Sequence, residues 1–275
     1  MSVPPNLAPF DLGEEYRVPH EQIEQYKRDG HIYLPRVLMK ETLDYFRPFF
    51  RQIMDQQNKH VRKWDERDPE GKKESITVKY LHRYSVGVIP FILARRLGKI
   101  AADLLETDSV RMLGNYGVYK EPGDKSTRWH QDNNHIFLDT DRTLTIWIPL
   151  TDITRHMGTM VFLSGSHSLN DREKGDVKNL AHAIRKGLPE VNYGAMQAGD
   201  VTVHSGWTLH TALSNTSEQT REVVTLMYFA DGARFLSHDK MKELPRSIHL
   251  ARPELEIKAG EVAKGPDYPI VYQRM

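Results

Sequence analysis

Four residues carry the chemistry that this chain is equipped for: His130, Asp132, His210 and Arg221. The first two stand in Arg128-Trp129-His130-Gln131-Asp132. A strand points residues two apart to the same face, so the spacing predicts an imidazole and a carboxylate aimed at one point. His210, in Gly206-Trp207-Thr208-Leu209-His210-Thr211, can close a triangle with them. Two histidines and one carboxylate on one face suit a divalent metal of borderline softness. With the opposite face open, they form the arrangement that holds non-haem Fe(II) for O2 chemistry. His204, six residues before His210, is an alternative ligand on residue type alone. Arg221 heads the apolar run Val223-Val224-Thr225-Leu226-Met227-Tyr228-Phe229. A guanidinium there points into a core, where it needs an anion. A dicarboxylate cosubstrate bound to the metal at one end would supply that anion at the other.

An H-x-D triplet is a weak signal by itself in a chain with thirteen histidines. The surroundings strengthen it. Gly199-Asp200-Val201-Thr202-Val203-His204 reads as a turn into a strand ending shortly before His210. Further stretches follow in a fixed order: Trp147-Ile148-Pro149-Leu150-Thr151-Asp152, then Met157-Gly158-Thr159-Met160-Val161-Phe162-Leu163-Ser164-Gly165-Ser166-His167. With H-x-D before them, and Gly199-Asp200, His210 and Arg221 after them, the chain resembles the phytanoyl-CoA dioxygenase family of Fe(II)/2-oxoglutarate oxygenases. The match in order and spacing runs from about Arg111 to Phe229, and Arg28-Asp29-Gly30-His31-Ile32 also fits. Ser164 stands where the family usually has proline, which loosens a turn and touches nothing catalytic.

The resemblance implies a site. His130, Asp132 and His210 would hold Fe(II); the family places the distal ligand eleven residues before the arginine, which selects His210 over His204. 2-Oxoglutarate would chelate the metal and pair with Arg221, whose planar fork suits a carboxylate better than lysine. O2 would take the last position. Trp147 would pack beside the cosubstrate, or serve only as a core aromatic; Lys79 and Thr127 would reach its carboxylates. His135 and His167 read as hydrogen-bonding or pocket residues. The substrate pocket is expected from residues flanking the ligands: Tyr80, His82, Asn133, Asn134, Phe137, Arg155 and Trp207. That mix suits a small natural-product or amino-acid-like molecule and not a long alkyl chain. A CoA thioester would bring phosphates to the charged stretch at 60–74. Hydroxylation with release of succinate and CO2 is the expected outcome. Desaturation, epimerisation, cyclisation or endoperoxidation would use the same oxidant. Related halogenases replace the carboxylate ligand with a small residue, so Asp132 argues against halide incorporation. A non-catalytic jelly-roll binding protein would have lost a ligand or the arginine, and this chain has lost neither.

The elements that must position these residues come in two textures. Pro19 to Gly30 carries helix punctuation. Leu43, Phe46, Phe50 and Ile53 recur at helical spacing over 40–58, with Pro48 expected to kink that helix. Pro90 starts a third helix with a stripe of Leu93, Leu97, Ile100 and Leu104. From Val110 onward, short β-rich runs alternate with turns: Val110–Lys120, Thr143–Leu150, Met160–Leu163, Val201–His204 and Glu222–Phe229. Such runs predict an antiparallel sandwich or barrel covered by the earlier helices. The resemblance names it a double-stranded β-helix, a jelly roll of the cupin kind. Residues 168–195 read as an insertion, helical around Leu180–Ile184. Residues 60–74 read as a charged loop and 1–18 as a surface arm.

At 275 residues the chain fits one domain. Its expected parts are a helical portion at about 19–106, a jelly-roll core at about 109–230 and a C-terminal extension at 231–275. Lys and Arg number 38 against 37 Asp and Glu, for a formal charge of +1, which argues against a nucleic-acid footprint. The absence of cysteine excludes disulfides and thiolate metal sites. The first residues show no signal-peptide pattern and no apolar run approaches a membrane span. The expectation is a cytoplasmic protein acting on a small molecule, with no nucleic-acid or membrane partner; the sequence does not set its oligomeric state.

Overall fold

The computed structural model describes residues 11–65, 75–169, 175–243 and 259–274. The first helix, α1 (His20–Asp29), follows Pro19 and stops at Gly30. Gly30 takes φ 77° and donates its N–H to the Tyr26 carbonyl at 2.7 Å, a left-handed cap that glycine adopts without steric cost. Helix α2 (Lys40–Asp65) buries Leu43, Phe46, Phe50 and Ile53, the expected stripe, and carries Pro48 inside it. It continues to Asp65, so the expected charged loop begins as helix; residues 66–74 lie outside the described residues. The stripe that starts at Pro90 is divided between α3 (Ile89–Ile92) and α4 (Arg95–Leu104), because Ala94 leaves helical geometry at φ −58°, ψ 120°. Part of the expected N-terminal arm is built into the body: Leu12 and Val18 are buried, and Asp11 accepts a hydrogen bond from Thr42.

Among the described residues ten strands follow or interleave: β1 (His31–Leu34), β2 (Ile76–Lys79), β3 (Ser109–Lys120), β4 (Thr143–Pro149), β5 (Met160–Leu163), β6 (Glu190–Asn192), β7 (Val201–Ser205), β8 (His210–Ala212), β9 (Arg221–Ala230) and β10 (Ile270–Gln273). They form two antiparallel sheets, as the jelly-roll reading expects. The larger runs β1-β7-β4-β9-β3-β10, with β2 pairing a second stretch of β3; the smaller runs β6-β5-β8. The insertion at 168–195 contains α5 (Gly175–Arg185), longer than expected, and contributes β6 to the smaller sheet. Strands β1, β2, β6, β8 and β10 were not expected. Each is three or four residues long, too short for alternation to stand out.

Period-2 geometry divides the larger sheet into two faces. Ile146, Ile148, Val201, Val203, Val224, Leu226 and Tyr228 join Phe46, Phe50, Leu97 and Ile100 from the helices in one core. The opposite face of the same strands looks toward the smaller sheet, where Trp147 and Val223 pack with Met160, Phe162 and Ala212. Both faces are therefore covered, and β4 is buried along its whole length. Helices on one side and a small sheet on the other leave the interior between the sheets as the place for a site. Among the described residues no helix is long and apolar enough to cross a membrane.

Two stability predictions follow from this packing. Gly199 holds φ 101°, and a Cβ there would lie 2.1 Å from the Leu38 carbonyl oxygen. Gly199→Ala should destabilise the protein by about 1–3 kcal/mol or more in denaturant melts, whereas Gly13→Ala, with open space around it, should change it by less than about 0.5 kcal/mol. His31 is buried, stacked 4.7 Å from Phe162 and bonded through Nδ1 to the Tyr193 hydroxyl at 2.8 Å. Burial pushes its pKa down to about 4. Between the ordinary imidazole value and that point the unfolded chain binds a proton that the folded chain does not, so stability falls as pH drops through this window. His31→Asn should flatten the pH dependence of the melting midpoint there; an unchanged slope would show that His31 does not cause it.

Candidate metal centre and its cavity

His130 and Asp132 do not lie on one regular strand. His130 makes an isolated bridge to His210, each N–H donating to the other's carbonyl at 3.0 Å, which adds the His130 segment to the edge of the smaller sheet at β8. Asp132 opens a 3-10 turn, Asp132–His135. The two residues nevertheless converge. Nε2 of His130 and Nε2 of His210 each lie 3.8 Å from the same oxygen, Oδ1 of Asp132. One ligand atom from each of the three lies within 4.8 Å of those of the others, and the group could hold a metal ion.

The other end of each ligand is fixed by the protein. Nδ1 of His130 donates to the Arg128 carbonyl at 2.8 Å, and Nδ1 of His210 to the Thr208 carbonyl at 2.9 Å. A carbonyl only accepts, so each Nδ1 carries the proton and each Nε2 presents its lone pair. This is how protein-bound metals usually find their imidazoles oriented. Oδ2 of Asp132 accepts from the Thr145 hydroxyl at 2.6 Å and lies 3.3 Å from Nε2 of His204. His204 is thus gathered at the oxygen opposite the ligand group, and its ring nitrogens make no well-directed hydrogen bond among the described residues. Burial alone would raise the Asp132 pKa. Contact with His204 and the charges of His210 and His130 outweigh it and hold the carboxyl well below the usual range. Burial, reinforced by His130 and His204, pushes His210 well below the ordinary imidazole value. Both shifts favour the forms that bind metal: anionic carboxylate and neutral imidazole.

A cavity of about 530 Å³ opens onto these residues, and Arg221, Trp147, Lys79 and Thr127 line it. Arg221 is 1 % exposed. Its Nη1 donates to the Gly158 carbonyl, its guanidinium carbon sits 5.3 Å from the centre of the Trp147 ring, and its Nε has no hydrogen-bond partner among the described residues. Burial lowers its pKa to about 9, opposed by the charge of Asp124. A buried guanidinium with an unused donor, facing a cavity, is built for an anion.

Of the residues expected around the substrate, Tyr80 and Phe137 line the cavity. His82, Asn133, Asn134, Arg155 and Trp207 are not among its lining residues. His82 hydrogen-bonds Asn115, Asn133 accepts from Thr143, Asn134 donates to Asp176, and the Trp207 indole donates to Asp141 at 2.8 Å. Arg155 is exposed and lies beside Gly194. A 3-10 turn explains the asparagines: with three residues per turn, positions i and i+3 share a direction. Asp132 and His135 both line the cavity, and the two residues between them point elsewhere. His167 binds the Lys27 carbonyl, away from the cavity. Sequence reasoning missed Thr145 and an apolar portion of the wall: Leu113, Ile136, Leu138, Met227, Phe235 and Tyr268. The alternation of Thr143, Thr145 and Trp147 was the signal available for Thr145. Phe235 and Tyr268 stand in the C-terminal extension, where no pattern pointed to a site.

The family model described as phytanoyl-CoA dioxygenase (PhyH) matches residues 26–223. No curated protein sequence matches the chain. Among solved structures, the non-heme alpha-ketoglutarate-dependent carbocyclase SnoK from nogalamycin biosynthesis is similar at 24% identity and TM-score 0.74, over 92% of this chain and 96% of that one. The epimerase SnoN in complex with Fe3+, alpha-ketoglutarate and nogalamycin RO is similar at 20% identity and TM-score 0.75, over 91% and 97%. EctD from S. alaskensis, in its apoform, is similar at 20% identity and TM-score 0.63, over 82% of each chain. At these identities the likeness is one of fold.

The geometry predicts which imidazoles bind metal. His130→Ala, Asp132→Ala and His210→Ala should each abolish measurable binding of a divalent ion such as Mn(II), because each removes one of three protein ligands. His204→Ala should retain measurable affinity. Titration followed by electron paramagnetic resonance of free Mn(II) checks this; loss of binding in His204→Ala with retention in His210→Ala would reverse the assignment.

Proposed function

The chain belongs to the phytanoyl-CoA dioxygenase family, and on that premise we propose that it is an Fe(II)/2-oxoglutarate-dependent oxygenase that oxidises a small molecule. The observation that carries the reading is a single cavity with a His-Asp-His ligand group at one place and a buried arginine with an unused donor at another. The donor set fits Fe(II): two neutral imidazole nitrogens and one carboxylate oxygen, with no thiolate. Among the solved relatives, SnoN carries Fe3+ and alpha-ketoglutarate and EvdO2 carries 2-oxoglutarate.

Iron held by His130, Asp132 and His210 would supply, with 2-oxoglutarate and O2, the oxidising power for a C–H bond of the substrate, with succinate and CO2 as coproducts. The chain's residues determine where this happens. Register across the larger sheet gives a scale: Thr145 pairs with Met227, and Trp147 with Thr225. Thr145 holds Asp132, so the ligands stand at the level of Met227. Arg221 lies six residues along β9, roughly 20 Å of strand, and its side chain reaches back to Trp147. A dicarboxylate held between these ligands and the guanidinium would pass Trp147, and Lys79 and Thr127 on the same wall would be further donors to it. Lys79 pairs with Tyr116, at the level of Thr225, which supports a place beside the cosubstrate. Burial excludes water from the Arg221 carboxylate pair and strengthens it.

Hydroxylation is the outcome we propose for the substrate. A second reading, cyclisation or epimerisation at the same site, is supported by similarity to the carbocyclase and the epimerase. Asp132 in the ligand group leaves no position for a halide, so bromide in the buffer should leave the product unbrominated.

Arg221→Ala tests the cosubstrate role. Losing one member of a buried charge-assisted pair costs roughly 2–5 kcal/mol, so 2-oxoglutarate affinity of the metal-loaded protein should fall by about one and a half to four decades, with metal affinity nearly unchanged. Calorimetric titration of 2-oxoglutarate into anaerobic Fe(II)-loaded wild type and variant measures it; equal affinities would remove Arg221 from the site.

A further inference from the structure

We propose that the substrate is a flat, largely apolar molecule of about two to three rings, sized for a drug-like cavity, and that the C-terminal segment supplies the wall that selects it. The inference rests on the oxygenase reading above and concerns the part of the cavity which the cosubstrate leaves over.

The residues of the cavity divide along the strands that carry them. On β9, the lining residues pass from Arg221 through Thr225 to Met227, from cationic to apolar. The cosubstrate end is polar, with Arg221, Lys79 and Thr225. Beyond Met227 the wall changes character. Leu113 sits where β3 shifts register against β9, between Met112 and Gly114. Leu138 bridges to Phe235, and Tyr268 packs edge-on to both Phe235 at 5.7 Å and Phe229 at 5.9 Å. Phe235 and Tyr268 line the cavity and are held to one another edge-to-face, and such packed rings offer an aromatic partner a surface for stacked or edge contacts. Phe235 comes from residues 231–243 and Tyr268 from 259–274, and β10 in the latter stretch pairs with β3.

The polar inventory narrows the class further. Among the described residues that line the cavity, Asp132 is the one carboxylate, and it belongs to the ligand group. Among the described lining residues, an amino-acid or amine substrate finds no carboxylate for its ammonium group outside the ligand group, and a buried unpaired charge is costly. The amides near the site, Asn133 and Asn134, are turned away and bonded elsewhere. Rings suit the wall better than a linear chain does, because Tyr80, Tyr116 and Phe137 join the two C-terminal aromatics around one space of about 530 Å³ shared with the cosubstrate.

The test uses the full chain loaded anaerobically with Mn(II) and 2-oxoglutarate, and three probes: 6-hydroxyflavone, decanoic acid and L-proline. Calorimetry should show saturable binding of 6-hydroxyflavone, with decanoic acid at least about tenfold weaker and no binding of L-proline. Phe235→Ala should weaken the flavone about tenfold and leave 2-oxoglutarate affinity unchanged. Met227→Trp, which fills the space instead of opening it, should also weaken the flavone, and serves if Phe235→Ala does not fold. Paramagnetic broadening of the flavone protons by Mn(II) locates the probe beside the ligands. Tighter binding of L-proline or decanoic acid would overturn the proposal, as would flavone binding that is unbroadened or indifferent to both variants. Absence of flavone binding in a protein that still binds 2-oxoglutarate overturns the substrate class alone. Failure of 2-oxoglutarate to bind the metal-loaded protein overturns the oxygenase reading beneath it.

Discussion

Asp132 is half-buried among three imidazoles, and its two oxygens are held to different tasks. Oδ2 accepts from Thr145 and lies against His204, whereas Oδ1 faces Nε2 of His130 and Nε2 of His210. A buried carboxylate is costly unless its lone pairs are satisfied. Anchoring one oxygen in the sheet offsets part of that cost and fixes the direction of the other. The two histidines obey the same rule: each commits Nδ1 to a carbonyl two residues upstream, and each thereby aims Nε2. The group is therefore set by two backbone carbonyls, one for each histidine, and by the Thr145 hydroxyl for Asp132, and rotating any one of the three side chains breaks a hydrogen bond.

The rest of the site depends on where that group sits in the sheet. Thr145 belongs to β4, and the pairing of β4 with β9 sets the distance from the ligands to Arg221. A one-residue slip would turn Thr145, Trp147, Thr225 and Met227 toward the helices and carry Ile146, Ile148 and Leu226 into the cavity. The helical layer prevents the slip, because the alternate residues of both strands are committed to the core under α2 and α4. Packing on one face of the sheet thus maintains the chemistry on the other. Arg221 shows the same economy: a buried cation is tolerated in the folded chain through the Gly158 carbonyl and the Trp147 ring, and its Nε has no partner among the described residues.

Much of this was legible in the sequence because chemistry-bearing residues stood at fixed spacings. His130, Asp132, His210 and Arg221 line one cavity, and the five expected β-runs are strands within a residue or two of their expected ends. The H-x-D triplet succeeded for a different local reason than the one that spacing suggested. Asp132 is in a 3-10 turn and not on a strand, and that turn sends Asn133 and Asn134 away from the cavity. Local pattern cannot report such a rotation, since strand and turn both bring one neighbour of His130 into reach. The short strands escaped notice because three or four residues hold too few alternations. The aromatic wall escaped because its members are brought together from β3, the 3-10 turn, β9 and the C-terminal segment by tertiary pairing alone.

The most direct test of the central claim, that one cavity holds a metal at His130, Asp132 and His210 and a dicarboxylate between that metal and Arg221, is an anaerobic crystal structure with Fe(II) and 2-oxoglutarate. The account predicts iron at roughly 2.0–2.2 Å from Nε2 of His130, Nε2 of His210 and an oxygen of Asp132. It also predicts the distal carboxylate of 2-oxoglutarate on the Arg221 guanidinium, beside Trp147. Iron held by His204 in place of His210, or a cosubstrate carboxylate bound away from Arg221, would contradict it.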